Sequence, residues 1–226
     1  MEATWPPASS WRLGPWRLRL GAGGGKRVSA ASVAGNWSPA DIDAAAAAMA
    51  DPLFLLRPED AALDQALAAR GYAMIDPVAA YHSPVTAFDP PPVLTTFPHW
   101  PPLQIACELW TGGHIGPERI AVMSRVTGPK TAILSRTTDR ATGVAFVAVH
   151  GTIAMLHALE VTPGSRRQGS ARNILRAAAA WGRDHGADSL ALVVTEANHP
   201  ARALYASQGM QVVGQYHYRQ LLGRPT

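Results

Sequence analysis

The sequence predicts an α/β fold in two lobes, and three observations carry that prediction. Apolar residues make up 47% of the 226 positions and charged residues 16%, which is enough for a sizeable core and excludes a wholly disordered chain. Apolar runs of strand length alternate with helix-patterned segments that stop at a glycine, as at Gly71, Gly186 and Gly209. Residues 83–102 hold seven prolines, a density that excludes a regular helix or a central strand, so this stretch reads as an extended crossover between lobes 1–82 and 103–226.

In the first lobe, residues 16–20 alternate apolar and basic side chains like a strand. A glycine-rich turn at 21–26 and a returning strand at 26–33 complete an expected hairpin. Ser38 and Pro39 open an alanine-rich helix that runs to about Met49, Ser38 as N-cap and Pro39 at the first helical position. A short buried strand is expected at 52–56, a helix at 58–70 stopped by Gly71, and a strand at 72–81. In the second lobe, helices are expected at 103–110 and 117–125, and strands at 131–136, 143–150 and 153–161. A helix follows at 170–185, with Ile174, Leu175, Ala178 and Trp181 on one stripe. Residues 189–194 form a continuously apolar strand of the buried central type, Asn198 caps a helix at 199–208, and 210–219 is the last strand. The pieces 66–72 and 204–210 echo one another weakly, each a helix end, a glycine and a strand start.

Charge is uneven. Residues 1–102 carry seven Lys/Arg against nine Asp/Glu, and residues 103–226 carry thirteen against seven. Arg166, Arg167, Arg172 and Arg176 fall where no acidic residue stands between Glu160 and Asp184, so an anionic partner is expected there. No aromatic residue is interleaved with these arginines and no helix-turn-helix or zinc-finger spacing is present, which favours a phosphorylated small molecule over nucleic acid. No apolar run approaches the ~20 residues needed to span a bilayer. The early tryptophans alternate with Pro and Arg, unlike a secretory leader. The single cysteine, Cys107, allows no internal disulfide, and a cytoplasmic location is expected. The eight histidines show no paired helical spacing, so no metal site is expected. Residues 21–26 fail as a phosphate loop, because Leu20 and Arg27 stand where glycine and Ser/Thr are required. Trp100 and Trp110 flank the proline-rich stretch; they could line an acceptor pocket, but packing between the lobes is the favoured reading, and Cys107 is read as inert core.

The segment from Leu159 to Ala171 carries the chemistry. A strand ends, a Pro/Gly/Ser loop turns, and a helix begins among arginines. Helix starts leave backbone N–H groups without intrahelical partners and carry partial positive charge. With Gly169, Ser170 and Ala171 small enough for close approach, the segment predicts a pyrophosphate cradle. The order Leu159-x-Val161, Arg166-x-x-Gly169-x-Ala171, then Asn198, Ala201, Leu204-Tyr205 and Gly209-Met210 resembles the GNAT superfamily of acyl-CoA-dependent N-acyltransferases. The resemblance is close over 153–218 and looser from 103. Over the first hundred residues it is weak, like a degenerate second lobe in tandem members.

The resemblance implies a GNAT-like mixed, mostly antiparallel sheet flanked by helices, with a splayed central pair of strands. It implies acetyl-CoA or another acyl-CoA as co-substrate, and acetyl transfer to a primary amine on a small molecule or peptide. A homodimer is allowed for, and neither nucleic acid nor membrane is expected as partner. Leu159 and Val161 would hold the pantetheine arm and acyl carbonyl. Arg166, Arg167, Gly169, Ser170, Ala171 and Arg172 would hold the pyrophosphate, and Asn198 the cofactor arm. Tyr205 would protonate the leaving thiolate, with an ordinary tyrosine pKa near 10 keeping it protonated. Glu160 and His157 are the two candidates for the base. Strand alternation puts His157, Leu159 and Val161 on one face and Glu160 on the other, unless a bulge intervenes. Two rival classes stand beside the enzyme: an acyl-CoA-binding module without turnover, and a nucleic-acid binder using the arginines.

Overall fold

The computed structural model describes residues 1–222. The chain divides into two compact units. One comprises Met1–Pro6, Ala80–Val193 and Pro200–Val213. The other comprises Pro7–Ala79, Val194–His199 and the described residues from Gly214 onward.

The first unit is built on a mixed sheet with the order β5-β10-β9-β8-β7-β6. Its strands are β5 (Tyr72–Pro84), β6 (Thr96–His99), β7 (Lys130–Thr137), β8 (Arg140–His150), β9 (Ile153–Val161) and β10 (Ser189–Thr195). β6 to β9 pair antiparallel, while β10 runs parallel to β9. Proline-rich residues 83–102 are thus more than a crossover: they supply the end of β5, a 3-10 turn at Val85–Ala87 and β6. Pro98 is tolerated in β6 because that strand lies at the sheet edge. The helices are α3 (Gln104–Gly112), α4 (Pro117–Arg125), α5 (Ser170–Asp184) and α6 (His199–Ser207). α5 buries Ile174, Leu175 and Ala178 as the stripe required. It covers the sheet face that carries Gly143 and Ala154: a Cβ on Gly143 would touch Ile174, and one on Gly182 would collide with Ala154. The opposite face carries Phe146 and His157, against which Trp5 packs. β10 is less buried than its apolar run suggests, since only Leu190 and Leu192 are fully covered.

The second unit contains a three-stranded antiparallel sheet of β1 (Ser9–Leu13), β2 (Trp16–Leu20) and β3 (Ser32–Val33). β4 (Leu53–Leu56) pairs antiparallel with β11 (Gln211–Leu221), and β5 follows in the order β4-β11-β5. The expected hairpin partner of β2 at 26–33 is corrected. The partner is β1, and Lys26–Val28 forms a 3-10 turn before a two-residue strand. Helices α1 (Pro39–Ala47) and α2 (Ala61–Ala69) complete the unit, around a core of Trp16, Leu18, Ile42, Phe54, Leu63 and Tyr72. The Trp16 indole N–H donates to the Asp41 carbonyl (2.8 Å), so its one polar atom is satisfied inside the core. Asp64 of α2 accepts from Arg219 Nε and His217 Nε2 on β11 (both 2.7 Å), and Arg219 Nη1 donates to the Tyr72 carbonyl (2.9 Å). The Arg219 hydrogen bond is the main reason the Asp64 carboxyl is held down, to about 2.

Candidate functional site

Two departures from regular structure shape the end of β9. Its ladder with β10 extends only from Ile153↔Ser189 to Leu156↔Leu192, beyond which the two strands no longer pair. At the same level its register with β8 shifts: His157 opposes Phe146 and Glu160 opposes Val144. Ala158 and Leu159 therefore face the single residue Ala145, and Ala158 adopts φ +51°. This is a β-bulge, and it reverses the facing that simple alternation predicts. His157 and Glu160 share the face away from α5, and Val161 turns to the α5 face beside Gly143. The expectation that Glu160 lies opposite His157 is thus corrected.

The two base candidates have different surroundings. His157 is buried; its Nε2 hydrogen-bonds Thr4 Oγ1 (3.0 Å) and its ring lies 5.0 Å from that of Trp5. Glu160 is 22% exposed and ion-paired with Arg166 Nη2 at 3.5 Å. Its side chain lies against Gly113, just past the end of α3, where an added Cβ would come within 2.4 Å of Glu160 Cγ.

After β9 the chain makes a 3-10 turn at Pro163–Ser165, then passes through two residues of positive φ, Arg167 (+62°) and Gly169 (+91°). Gly169 is the N-cap of α5, left-handed and without a side-chain hydrogen bond to the helix start. A left-handed cap suits glycine alone at little strain, and a Cβ there would meet nothing within 4 Å, so the approach is open. The loop from Arg166 to Gly169 is exposed. Arg166 Nε donates to the Val161 carbonyl (3.2 Å), folding this arginine along the strand end, and Arg172 is exposed on the first turn of α5. Arg176 is instead paired with Asp89 (3.0 Å). Ser170 turns inward: it is buried and hydrogen-bonds Thr142 (2.9 Å) and Thr137 (3.1 Å), so its backbone, not its hydroxyl, belongs to the loop surface.

Tyr205 lies on α6, 5% exposed, with its ring 5.5 Å from that of Tyr81. Burial, helped by Tyr81, pushes its hydroxyl pKa up to about 12. Arg202 Nε donates to the Tyr81 hydroxyl (3.4 Å). Asn198 precedes α6 and donates its backbone N–H to the Thr195 carbonyl (3.0 Å); it groups with the second unit. Sequence reading missed Tyr81, Gly113, Thr4 and Trp5 as site neighbours, and gave Trp110 the wrong task. Trp110 is fully buried inside the first unit, and its indole N–H donates to the Ala158 carbonyl (2.8 Å). Among the described residues no group of three or more His, Cys, Asp or Glu could hold a metal ion, and no helix is long and apolar enough to cross a membrane.

The arrangement has counterparts. Residues 125–210 match the model of the acetyltransferase (GNAT) family. No curated protein matches the sequence. Among solved structures, a GCN5-related N-acetyltransferase from Kribbella flavida aligns at TM-score 0.71 and 16% identity, over 99% of this chain and 93% of that one. A GNAT-family acetyltransferase from Novosphingobium aromaticivorans aligns at TM-score 0.59 and 18% identity, over 93% and 89%. A tandem GNAT protein from the clavulanic acid biosynthesis pathway aligns at TM-score 0.60 and 14% identity, over 98% and 86%. At these identities the structures speak for the fold, while the family model speaks for the site-bearing segment. Residues 125–210 thus match the GNAT acetyltransferase family, and the likeness to GNAT structures in fold extends over nearly the whole chain.

Proposed function

We propose that the protein transfers an acetyl group from acetyl-CoA to a primary amine. The observation that supports this most is the start of α5: an exposed, left-handed glycine cap without a side-chain partner, directly after a strand that has left its parallel neighbour. The residues fit a diphosphate. The backbone N–H groups of Arg167, Gly169, Ser170 and Ala171 would receive it, with the Arg166 and Arg172 side chains adding positive charge. Leu159 and Val161 would flank the pantetheine arm and acyl carbonyl. Bound acetyl-CoA supplies an activated thioester carbonyl.

Glu160 is the base in this reading. It shares the bulge face with His157 but reaches solvent, and it accepts the amine's proton, directly or through a water. His157, enclosed by Thr4 and Trp5, holds the strand rather than moving a proton. Tyr205 faces a harder task than an ordinary tyrosine. At a pKa of about 12 it is a weaker acid than a thiol by roughly 3–4 units, so complete transfer to a thiolate is uphill by roughly 5 kcal/mol. Tyr205 therefore stabilises the leaving thiolate by a hydrogen bond and holds its own proton. The acceptor class is a small-molecule or peptide amine, and the cytoplasm is the proposed compartment, supported by the single cysteine.

Thiol release from acetyl-CoA over a panel of primary amines tests this reading. Turnover on at least one amine, with kcat falling about 10²-fold in Tyr205→Phe, is the expected result. Tight CoA binding with no thiol release on any amine would favour a non-catalytic acyl-CoA module, a reading supported by the engagement of His157 with Thr4 and of Glu160 with Arg166.

A further inference from the structure

We infer that Trp110 is a positioning residue for the acyl group, acting through the backbone of β9. This rests on the acyl-CoA reading above and deepens it. The β9 bulge has to be stabilised from outside the sheet, because Ala158 and Leu159 have only Ala145 opposite them on β8. On the other side, the ladder to β10 has ended at Leu156. A partly buried carbonyl released from both ladders is stabilised by a protein donor. That donor is Trp110: its indole N–H reaches the Ala158 oxygen at 2.8 Å from a side chain with 0% exposure.

Trp110 is itself fixed from both ends. Its backbone carbonyl accepts from Gly113 (3.0 Å) and Ile115 (2.8 Å), closing α3 at this residue. The same turn brings Gly113 against the Glu160 side chain, where a methyl group would not fit. One indole hydrogen bond and one glycine thus tie the end of α3 to the bulge at 158–160. The peptide groups of that bulge are the ones the thioester carbonyl would meet. Without the indole donor, the Ala158 carbonyl has to turn toward another partner, and the neighbouring peptide planes turn with it. The loss is largest for ligands that carry an acyl carbonyl, because the arm that CoA shares is also anchored by the diphosphate at the start of α5.

The test is calorimetric titration of the full chain with acetyl-CoA and, in parallel, with CoA, which lacks the acyl carbonyl. Trp110→Phe removes the donor. Replacing Trp110 by β-(3-benzothienyl)alanine removes it while keeping the ring's size and shape, and so separates the hydrogen bond from packing if the Phe variant folds poorly. The expected result is an acetyl-CoA Kd raised about tenfold in the isosteric variant, with the CoA Kd within about twofold of wild type. Equal weakening toward both ligands, or no change toward either, would overturn the inference and leave Trp110 a packing residue. Wild-type protein that binds neither ligand would instead remove the acyl-CoA reading, and this inference with it.

Discussion

Helices begin in contrasting ways in the two units. In the second unit the chain closes its own helix starts. At α1, Asp41 Oδ2 accepts from the Ser38 backbone N–H (2.8 Å) and hydroxyl (2.6 Å); the 3-10 turn Pro58–Asp60 that leads into α2 is closed the same way, Asp60 Oδ2 accepting from the Arg57 N–H (3.0 Å). In the first unit, α5 begins at a glycine with no side-chain partner, amid exposed arginines. A carboxylate at a helix start satisfies donors and complements the dipole, which stabilises the fold and discourages a further anion. A bare start gives up that stabilisation and leaves the donors to a ligand. A missing side-chain cap alone does not mark a binding site, since α3 and α4 also begin without one; α5 is set apart by its left-handed glycine among exposed arginines, and it is the start proposed to bind.

Substitutions can break this contrast. Gly169→Glu places a carboxylate and a Cβ at the bare start, at a residue with φ +91°. CoA affinity should fall by about 100-fold or more in calorimetry. Gly169→Ala is the control, since it carries the backbone strain of roughly 1–2 kcal/mol without the charge. Wild-type affinity in the Glu variant would place the diphosphate elsewhere. Arg172→Ala, at an exposed cation, should weaken CoA by about threefold to tenfold and flatten the salt dependence of binding.

Smaller effects belong to the second unit. Folding lowers the Asp64 carboxyl from 3.8 to about 2, so its contribution is complete above pH 4 and is lost as the pH falls through 2. Asp64→Asn should therefore lower stability by about 1–2 kcal/mol at pH 7, with the difference closing near pH 2 in denaturant titrations. A pH-independent difference would mean that shape, not charge, is at work. Asp41→Ala removes the acceptor at α1 and should lower Tm slightly, with no change in CoA affinity. A change in affinity there would erase the distinction between the two kinds of helix start.

What the sequence made legible were features set by local chemistry. Ser38-Pro39 marked α1, the stripe from Ile174 to Trp181 marked α5, and the glycine at 169 marked where that helix begins, because caps, periodicity and positive φ each leave a residue signature. β1 was missed because Ser9–Leu13 is exposed for most of its length and so shows no alternation of burial. The bulge at Ala158 left no mark either, since an alanine at φ +51° is an unfavourable choice that the surroundings impose. The indole that hydrogen-bonds its carbonyl lies 48 residues away in Trp110, and the partner of His157 lies 153 residues away in Thr4. Long-range pairs of this kind decided which of two acidic or basic candidates faces solvent.

Backbone amide NMR during titration with CoA, and separately with pantetheine, tests the central claim most directly. The account predicts large shifts at Arg167, Gly169, Ser170 and Ala171 with CoA and none there with pantetheine, which lacks the diphosphate. CoA binding that leaves those four amides unmoved, or moves instead the starts of α1 and α2, would contradict it.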